Sequence, residues 1–148
     1  MSAASATVSI VIDASLATRI FLPASSSIDA ERLFAEWRKA GARVISSMLW
    51  FVESVSAIRK AVFARAITGS EGQAALADLL RLGAEPFAID SGQCRSALHW
   101  AERLGQSRAY DGFYLALAEK LDAPLWTADK RLANPARQAG IAWVHSVG

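Results

Sequence analysis

The stretch TVSIVIDAS, residues 7–15, decides the fold. Its apolar side chains are the β-branched residues Val8, Ile10, Val11 and Ile12. A short run that is apolar on both faces is typical of a central parallel strand that helices cover on each side. A single acid, Asp13, ends the run. It would follow the carboxyl end of that strand, where open α/β sheets place their ligand sites.

Further short apolar segments follow along the chain, and helical patterns separate them. The predicted strands after the first are residues 43–46, 86–89, 124–127 and 141–145. Apolar residues at helical spacing predict the helices between them, which gives the order β-α-α-β-α-α-β-α-α-β-α-β. Strands that alternate with helices indicate an α/β sandwich built on a parallel sheet.

Capping and helical signals set the expected helix ends in the first half of the chain. Ser26 or Ser27 is predicted to cap the second helix. A long helix over residues 48–68 carries Glu53 near its start. The sequence SEGQ, residues 70–73, has the form of a capping box and predicts that the next helix begins there.

The same signals recur in the second half. Asp90 follows the third predicted strand, and the capping box DSGQ, residues 90–93, explains this acid without a functional role. Ser107 is predicted to cap a helix over residues 108–121, which places Asp111 in its first turn. This helix is nearly all apolar, so we expect it to be deeply packed.

Composition limits the kinds of protein and of site. With 148 residues, of which 53% are hydrophobic and 20% charged, the chain is expected to form one globular domain over residues 1–148. A single cysteine, Cys94, excludes an internal disulfide and a cysteine-based zinc site. The two histidines do not form a metal-binding pair. Any metal would therefore be held by oxygen atoms, which favours Mg²⁺ or Mn²⁺.

The sequence also bears on location and partners. It shows no secretory signal and no apolar stretch long enough for a transmembrane helix, so we expect a cytoplasmic protein without a membrane partner. No glycine-rich phosphate loop is present. The net charge is +2, and twelve of the sixteen basic residues are arginine, a residue that suits phosphate contacts.

Four acids are expected to converge although they lie far apart in the sequence. Asp13 and Asp129 come directly after predicted strands, whereas Asp111 and Glu53 lie in the first and second turns of predicted helices. Because the carboxyl ends of parallel strands share one edge, where the following helices begin, these side chains can meet. Four carboxylates repel one another unless cations neutralise them, and two Mg²⁺ ions would balance their formal charge.

Helix capping is the alternative explanation for these acids. An Asp after a strand is an ordinary N-cap, so Asp13, Asp111 and Asp129 could each serve only to begin a helix. From the residues alone, capping and metal binding both remain open for each of the three. His99 and His145 are interpreted as packed or surface residues without a catalytic role.

Two motifs in the second half resemble the PIN-domain family, and more narrowly the VapC toxins of bacterial and archaeal type II toxin–antitoxin modules. They are YDGFYLALAE, residues 110–119, and PLWTADKRL, residues 124–132. IDAS, residues 12–15, matches the opening acid of the family, and WFVE, residues 50–53, matches its helix-borne Glu. The chain has Ser47 where the family usually has a proline before that helix.

The resemblance implies a three-layer α/β/α sandwich with a five-stranded parallel sheet in the order 3-2-1-4-5. It also implies an endoribonuclease that uses Mg²⁺, or Mn²⁺ in its place, and acts as the toxin of its module. One or two ions would be held by Asp13, Glu53, Asp111 and Asp129. The implied partners are RNA, a small cognate antitoxin and further copies of the chain, in a homodimer or a larger assembly with the antitoxin.

Four other residues receive supporting roles. Ser15 and Thr127 would contact water or phosphate at the metal, or would only cap helices. Lys130 and Arg131 follow Asp129 and would steer the phosphate backbone. If four of the fourteen acids lie in the site, the rest of the molecule carries sixteen positive and ten negative charges, or +6, which suits RNA binding.

Other functions remain as alternatives. One is a catalytically silent PIN-like scaffold that only binds a partner. A second is a phosphatase that forms an aspartyl-phosphate on Asp13, although that chemistry needs a second Asp where Ser15 stands. The five Trp and six Phe residues are many for so short a chain, and either they fill the core or some of them lie at an interface. If exposed, Trp37, Trp50 and Phe51 on the early helices are the candidates for contact with the antitoxin or with another copy.

Overall fold

A computed structural model describes residues 7–23 and 27–147. Within these ranges five strands and seven helices follow one another in the predicted order. The strands are β1 (Ser9–Ile12), β2 (Arg43–Ser47), β3 (Glu85–Phe87), β4 (Leu125–Thr127) and β5 (Val144–Ser146). The helices are α1 (Ala14–Phe21), α2 (Ser27–Lys39), α3 (Leu49–Phe63), α4 (Gly69–Arg81), α5 (Ser91–Arg103), α6 (Tyr110–Leu121) and α7 (Lys130–Gln138). None of these helices has the length and apolar character needed to cross a membrane.

The five strands form one parallel sheet in the order β3-β2-β1-β4-β5, which confirms the expected topology. β1 lies at the centre, where Val11 is in register with Ile45 on one side and Leu125 on the other. Neighbouring residues of a strand point to opposite faces of the sheet. Because Val11 and Ile12 are both fully buried, each face of β1 is covered. This explains why the stretch is apolar without alternation.

Two helix boundaries differ from the prediction in the first half, the end of α3 and the start of α4. α3 ends at Phe63 instead of continuing to Thr68. Thr68 is itself the N-cap of α4: its side chain accepts a hydrogen bond from the Glu71 backbone N–H, and the Glu71 carboxylate accepts one from the Thr68 backbone N–H. The capping box therefore begins two residues earlier than predicted, because the Thr68 hydroxyl accepts a hydrogen bond from a free N–H of the first turn of α4. The predicted cap of α2 at Ser26 lies outside the described residues, as does the side chain of Ser27.

Further boundaries differ in the second half, where β3 covers Glu85–Phe87 instead of residues 86–89 and β4 begins one residue later than predicted. α6 begins at Tyr110, after an N-cap at Ala109 that makes no side-chain hydrogen bond, so Ser107 is not its cap. β5 begins at Val144, three residues later than predicted. The reason lies in the end of α7, because the backbone N–H of Ile141 bonds back to the carbonyl oxygen of Ala136 and so belongs to the helix terminus.

The interface role considered for the early aromatic residues is wrong, and the alternative, that they fill the core, is confirmed. Trp37 and Trp50 are 8% and 2% exposed and belong to the core, and Phe51 packs against it. Trp37 makes an edge contact with Trp126 of β4 at 5.8 Å between ring centroids, and Trp50 makes one with Phe51 at 5.2 Å. Burying such large aromatic surfaces is favourable, so α2 and α3 turn these faces inward.

Candidate active site

Asp13 is a buried carboxylate at the centre of the sheet's carboxyl edge. It lies directly after β1, is 3% exposed, and is the N-cap of α1. Oδ1 accepts hydrogen bonds from the Ser15 hydroxyl at 2.6 Å and from the Leu16 backbone N–H at 3.1 Å, and Oδ2 accepts one from the Thr127 hydroxyl at 2.5 Å. Helix capping therefore explains the hydrogen bond from the Leu16 N–H. It does not explain the two hydrogen bonds from the Ser15 and Thr127 hydroxyls, which belong to the site.

Ser15 and Thr127 hold Asp13 by joining β1 to β4. The Ser15 hydroxyl accepts a hydrogen bond from the Ala128 backbone N–H at 2.9 Å, and it lies 3.2 Å from the Thr127 hydroxyl. Thr127 in turn accepts one from the Asp129 backbone N–H at 3.0 Å. The two hydroxyls thus fix the Asp13 carboxylate and the start of the Asp129 segment together.

Burial raises the pKa of Asp13 to about 7. The hydrogen bonds from Ser15, Thr127 and Leu16 stabilise the ionised form and oppose this rise, whereas the charge of Asp111 adds to it. The Asp13 carboxylate is therefore an unfavourable charge in the folded chain, and a nearby cation would stabilise it.

Glu53 approaches the same edge from the second turn of α3. Its Oε1 accepts a hydrogen bond from the Tyr114 hydroxyl at 2.6 Å. Burial is the largest cause of the raised pKa of Glu53; the Tyr114 hydrogen bond lowers it, and the charges of Asp111 and Asp129 raise it further. Tyr114 is 1% exposed, and burial followed by the charge of Glu53 raises its own pKa, so it stays a neutral donor.

Asp111 lies in the first turn of α6, close to α5. Its Oδ2 accepts a hydrogen bond from Gln106 Nε2 at 3.0 Å. A Cβ on the next residue, Gly112, would lie 2.3 Å from the carbonyl oxygen of Ala97, so only glycine lets α6 approach α5 this closely. Burial raises the pKa of Asp111, and the charge of Asp129 raises it further.

Asp129 is the N-cap of α7, and its side chain is 24% exposed. Its Oδ1 accepts hydrogen bonds from the backbone N–H of Arg131 at 2.9 Å and from Arg131 Nε at 3.2 Å. Its Oδ2 accepts one from Arg131 Nη2 at 3.2 Å. Lys130 is exposed beside it. The two basic residues predicted to contact RNA therefore differ, because one binds an acid of the site and the other points into solvent.

The fold brings all four predicted acids to one edge of the sheet. Asp111 is the link between them, because its charge raises the pKa of Asp13 and of Glu53, while the charge of Asp129 raises the pKa of Asp111 and of Glu53. Asp90 stands apart from this group. Its side chain caps α5 at the Gln93 N–H and meets Lys120 at 3.4 Å, in agreement with a purely capping role.

The donor chemistry of the cluster suits Mg²⁺, since every available ligand is a carboxylate or hydroxyl oxygen. As the side chains stand, no three His, Cys, Asp or Glu residues within 7–23 and 27–147 are grouped to hold a metal ion. Each acid accepts at least one hydrogen bond from a donor of the chain. The cluster nevertheless has the charge and the oxygen atoms that a divalent cation requires.

Two residues of the site were not predicted. Tyr114 follows Asp111 by three positions, which places both on one face of α6, and that spacing is a signal the sequence contains. Gln106 lies in the loop before α6, where no periodicity or motif points to it. Only the folded arrangement shows that its amide reaches Asp111.

Comparisons with known proteins agree with this fold. The PIN domain family model matches residues 10–138. Ribonuclease VapC12 from Mycobacterium tuberculosis is 37% identical over 132 residues, which cover 84% of this chain and 90% of that protein.

Solved structures show the same architecture at low sequence identity. PAE2754 from Pyrobaculum aerophilum superposes with a TM-score of 0.69 and 17% identity, covering 94% of this chain and 83% of the other. VapC20 from Mycobacterium tuberculosis, a toxin that cleaves the sarcin–ricin loop, gives a TM-score of 0.65 and 17% identity over 84% of this chain and 93% of the other. VapBC2 from Rickettsia felis, solved bound to a DNA fragment from its promoter, gives a TM-score of 0.64 and 12% identity over 94% of this chain and 98% of the other. From its sequence and its fold, the chain belongs to the PIN-domain family and, within it, to the VapC ribonucleases.

Proposed function

We propose that this chain is a Mg²⁺-dependent endoribonuclease that hydrolyses RNA phosphodiester bonds as the toxin of a toxin–antitoxin module, with Mn²⁺ able to replace Mg²⁺. One observation carries the proposal: acids from four separate segments lie at one sheet edge, where the charge of Asp111 raises the pKa of Asp13 and of Glu53, and that of Asp129 raises the pKa of Glu53 and of Asp111. Such an arrangement is unfavourable for folding alone, which is typical of a functional site. Residues 1–148 are proposed to form a single PIN domain.

In this proposal the four acids hold one or two ions. Bound Mg²⁺ supplies positive charge to the phosphate and lowers the pKa of water for attack on phosphorus. The chain's own residues supply orientation: Ser15 and Thr127 fix the Asp13 carboxylate, and Tyr114 fixes that of Glu53. Lys130 is exposed beside the acids, where its charge can bind a phosphate of the RNA backbone.

The partner in this proposal is a small antitoxin protein, with self-association in a homodimer or a larger complex. VapC12 is named a ribonuclease, and similar folds include a toxin–antitoxin complex from Klebsiella pneumoniae, at a TM-score of 0.63. Apolar side chains on α3 and α4 that are at least half exposed offer a surface for such a partner; they are Val52, Val55, Phe63 and Leu80. In this proposal the protein acts on its RNA substrate in the cytoplasm.

Asp13→Asn tests the nuclease directly. The substitution keeps the size of the side chain and removes the central charge, so we expect Mg²⁺-dependent RNA cleavage to fall on the order of a thousandfold, equivalent to about 4 kcal/mol of lost stabilisation. Asp90→Asn is the matched control, because Asp90 also caps a helix after a strand yet lies outside the cluster. RNA end sequencing with the purified full chain measures cleavage.

Removal of divalent cations completes the test. Chelation should abolish cleavage by the unsubstituted chain, and added Mg²⁺ or Mn²⁺ should restore it. If Asp13→Asn cleaved RNA as well as Asp90→Asn, the proposed nuclease site would be wrong. If neither the unsubstituted chain nor Asp90→Asn cleaved RNA, while both still inhibited growth and bound the antitoxin, the catalytically silent scaffold would replace the nuclease.

A further inference from the structure

Two side chains join the acids of α6 and α7 in a way that no motif predicts. Gln106 Nε2 donates to Asp111 Oδ2 at 3.0 Å and to the carbonyl oxygen of Arg131 at 3.5 Å. Arg131 donates from its backbone N–H, Nε and Nη2 to both carboxylate oxygens of Asp129. These two residues form the Gln106–Arg131 clasp, which connects Asp111 to Asp129 through hydrogen-bond donors of the chain itself.

The clasp places a positive charge beside two acids that repel each other. The charge of Asp129 raises the pKa of Asp111, whereas the charge of Arg131 lowers it. A guanidinium that forks onto a carboxylate engages both of its oxygens. A cation that binds Asp129 needs those same oxygens, so Arg131 and a metal ion compete for them.

The arginine side of the clasp is the side that opens easily. The Arg131 side chain is 90% exposed, and an ion pair with such an exposed member is weak because water screens it. The glutamine side is more enclosed, because the Gln106 amide reaches Asp111 at 3.0 Å and its Oε1 is buried.

We propose that the clasp is a built-in competitor of the metal: Arg131 holds Asp129 in the metal-free chain and releases it when a divalent cation binds, while Gln106 keeps Asp111 in position throughout. The inference rests on the proposed function, because it takes the four acids as the metal site. It assigns Arg131 to the control of metal affinity, a role separate from steering RNA. It also makes Gln106 a positioning residue of the site.

Mn²⁺ binding by the metal-free full chain, measured by isothermal titration calorimetry without RNA, tests the proposal. Arg131→Gln removes the competitor, so we expect about three- to tenfold tighter Mn²⁺ binding, the range for losing one screened charge beside the site. Gln106→Leu leaves the arginine in place and frees Asp111 to move, so we expect binding about tenfold weaker. Arg137→Gln, an exposed arginine on the same helix, is the control for net charge and should change binding less than twofold.

The opposite signs expected for the two variants separate the clasp from a general loss of structure. Thermal unfolding of each metal-free variant establishes that it is folded before titration. Equal Mn²⁺ affinity for Arg131→Gln and Arg137→Gln would overturn the competition, and unchanged affinity for Gln106→Leu would overturn the positioning role. A folded unsubstituted chain that bound no Mn²⁺ would overturn the proposed metal-dependent function itself.

Discussion

The buried corner around Asp13 and the open rim around Asp129 hold their acids in opposite ways. Asp13 is 3% exposed, and Ser15, Thr127 and a backbone N–H fix it from within the fold. The Asp129 side chain is 24% exposed, and its partner Arg131 is 90% exposed. In the proposed metal site, the corner would therefore provide a ligand of fixed orientation, whereas the rim would provide one whose partner can be exchanged.

The difference between the two regions shows that the energetically unfavourable buried charge of the proposed site lies at Asp13. At the corner, burial raises the pKa of Asp13 to about 7, so an ionised Asp13 destabilises the metal-free chain. At the rim, the acid is partly in water and the neutralising arginine comes from the chain itself. A cation would thus stabilise the corner most, while at the rim it must displace a side chain.

The largest effect expected from this comparison is a pH dependence of stability that originates in the corner. Between pH 3.8 and about 7 the folded chain keeps a proton on Asp13 that the unfolded chain releases. Stability therefore falls as the pH rises through this window and stays low above it. We expect the free energy of unfolding, measured by urea titration without divalent ions, to be about 3 kcal/mol lower at pH 8 than at pH 5.

Asp13→Asn sharpens this test because it removes the titrating group and keeps the shape. The variant should lose most of the pH dependence and be more stable than the unsubstituted chain at pH 8, with a smaller slope of the same sign left by Asp111 and Glu53, whose pKa values are also raised. Asp90→Asn should keep the full pH dependence of stability. The capping hydrogen bond from the Gln93 N–H lowers the pKa of Asp90, so this carboxylate stays ionised between pH 5 and pH 8 and does not contribute to the slope. An unchanged pH slope in Asp13→Asn would show that the corner does not hold the strained charge.

A smaller effect is expected where a buried donor supports an acid outside the corner. Tyr114→Phe deletes the hydroxyl that donates to Glu53 at 2.6 Å, and we expect kcat for RNA cleavage to fall about tenfold, as for other residues that orient a metal ligand. Because that hydrogen bond lowers the pKa of Glu53, the acidic limb of the pH–rate profile should also move to higher pH. Tyr110→Phe, at the exposed start of the same helix, serves as the control. A reduced rate with an unshifted profile would argue for a packing role only.

The smallest effect is expected on the solvent side of the rim. Lys130→Gln removes one exposed positive charge, so RNA should bind about two- to threefold more weakly at moderate salt, and the slope of log affinity against log salt should fall by roughly 0.7 to 1. Lys39→Gln, at the end of α2, is a control with the same change of charge. Filter binding of RNA, with each lysine substitution placed in the cleavage-deficient Asp13→Asn variant, measures the affinity and its salt slope. Equal salt slopes for the two lysine variants would remove Lys130 from the RNA contact.

Much of the fold could be predicted because the signals are local. The apolar run before Asp13 indicated a central strand, and alternating strand and helix patterns indicated a parallel sheet, as observed. Helix ends were less predictable, since they depend on which side chain captures a free N–H. Thr68 and Ser70 are hydroxyl residues on either side of Gly69, and only the folded contacts show that Thr68 caps α4 in place of Ser70.

Burial was the property that local patterns predicted least well. Trp37 and Trp50 lie on amphipathic helices whose orientation depends on neighbouring elements, so their exposure could not be deduced from spacing. Gln106 shows the same limit for the site. A glutamine in a loop has no periodic signal, and its role follows from the approach of α6 to α5 that Gly112 permits.

The sequence by itself determined the strand that ends in Asp13, the order of the elements and the four acids. These follow from hydrophobic periodicity, from the shared edge of parallel strands and from motifs that resemble one family. The tertiary structure alone decided how each acid is held: Asp13 by two hydroxyls from β4 and α1, Glu53 by Tyr114, Asp111 by Gln106, and Asp129 by Arg131. The physical reason is that side-chain hydrogen bonds and desolvation depend on residues far apart in the chain, and only folding brings those residues within contact distance.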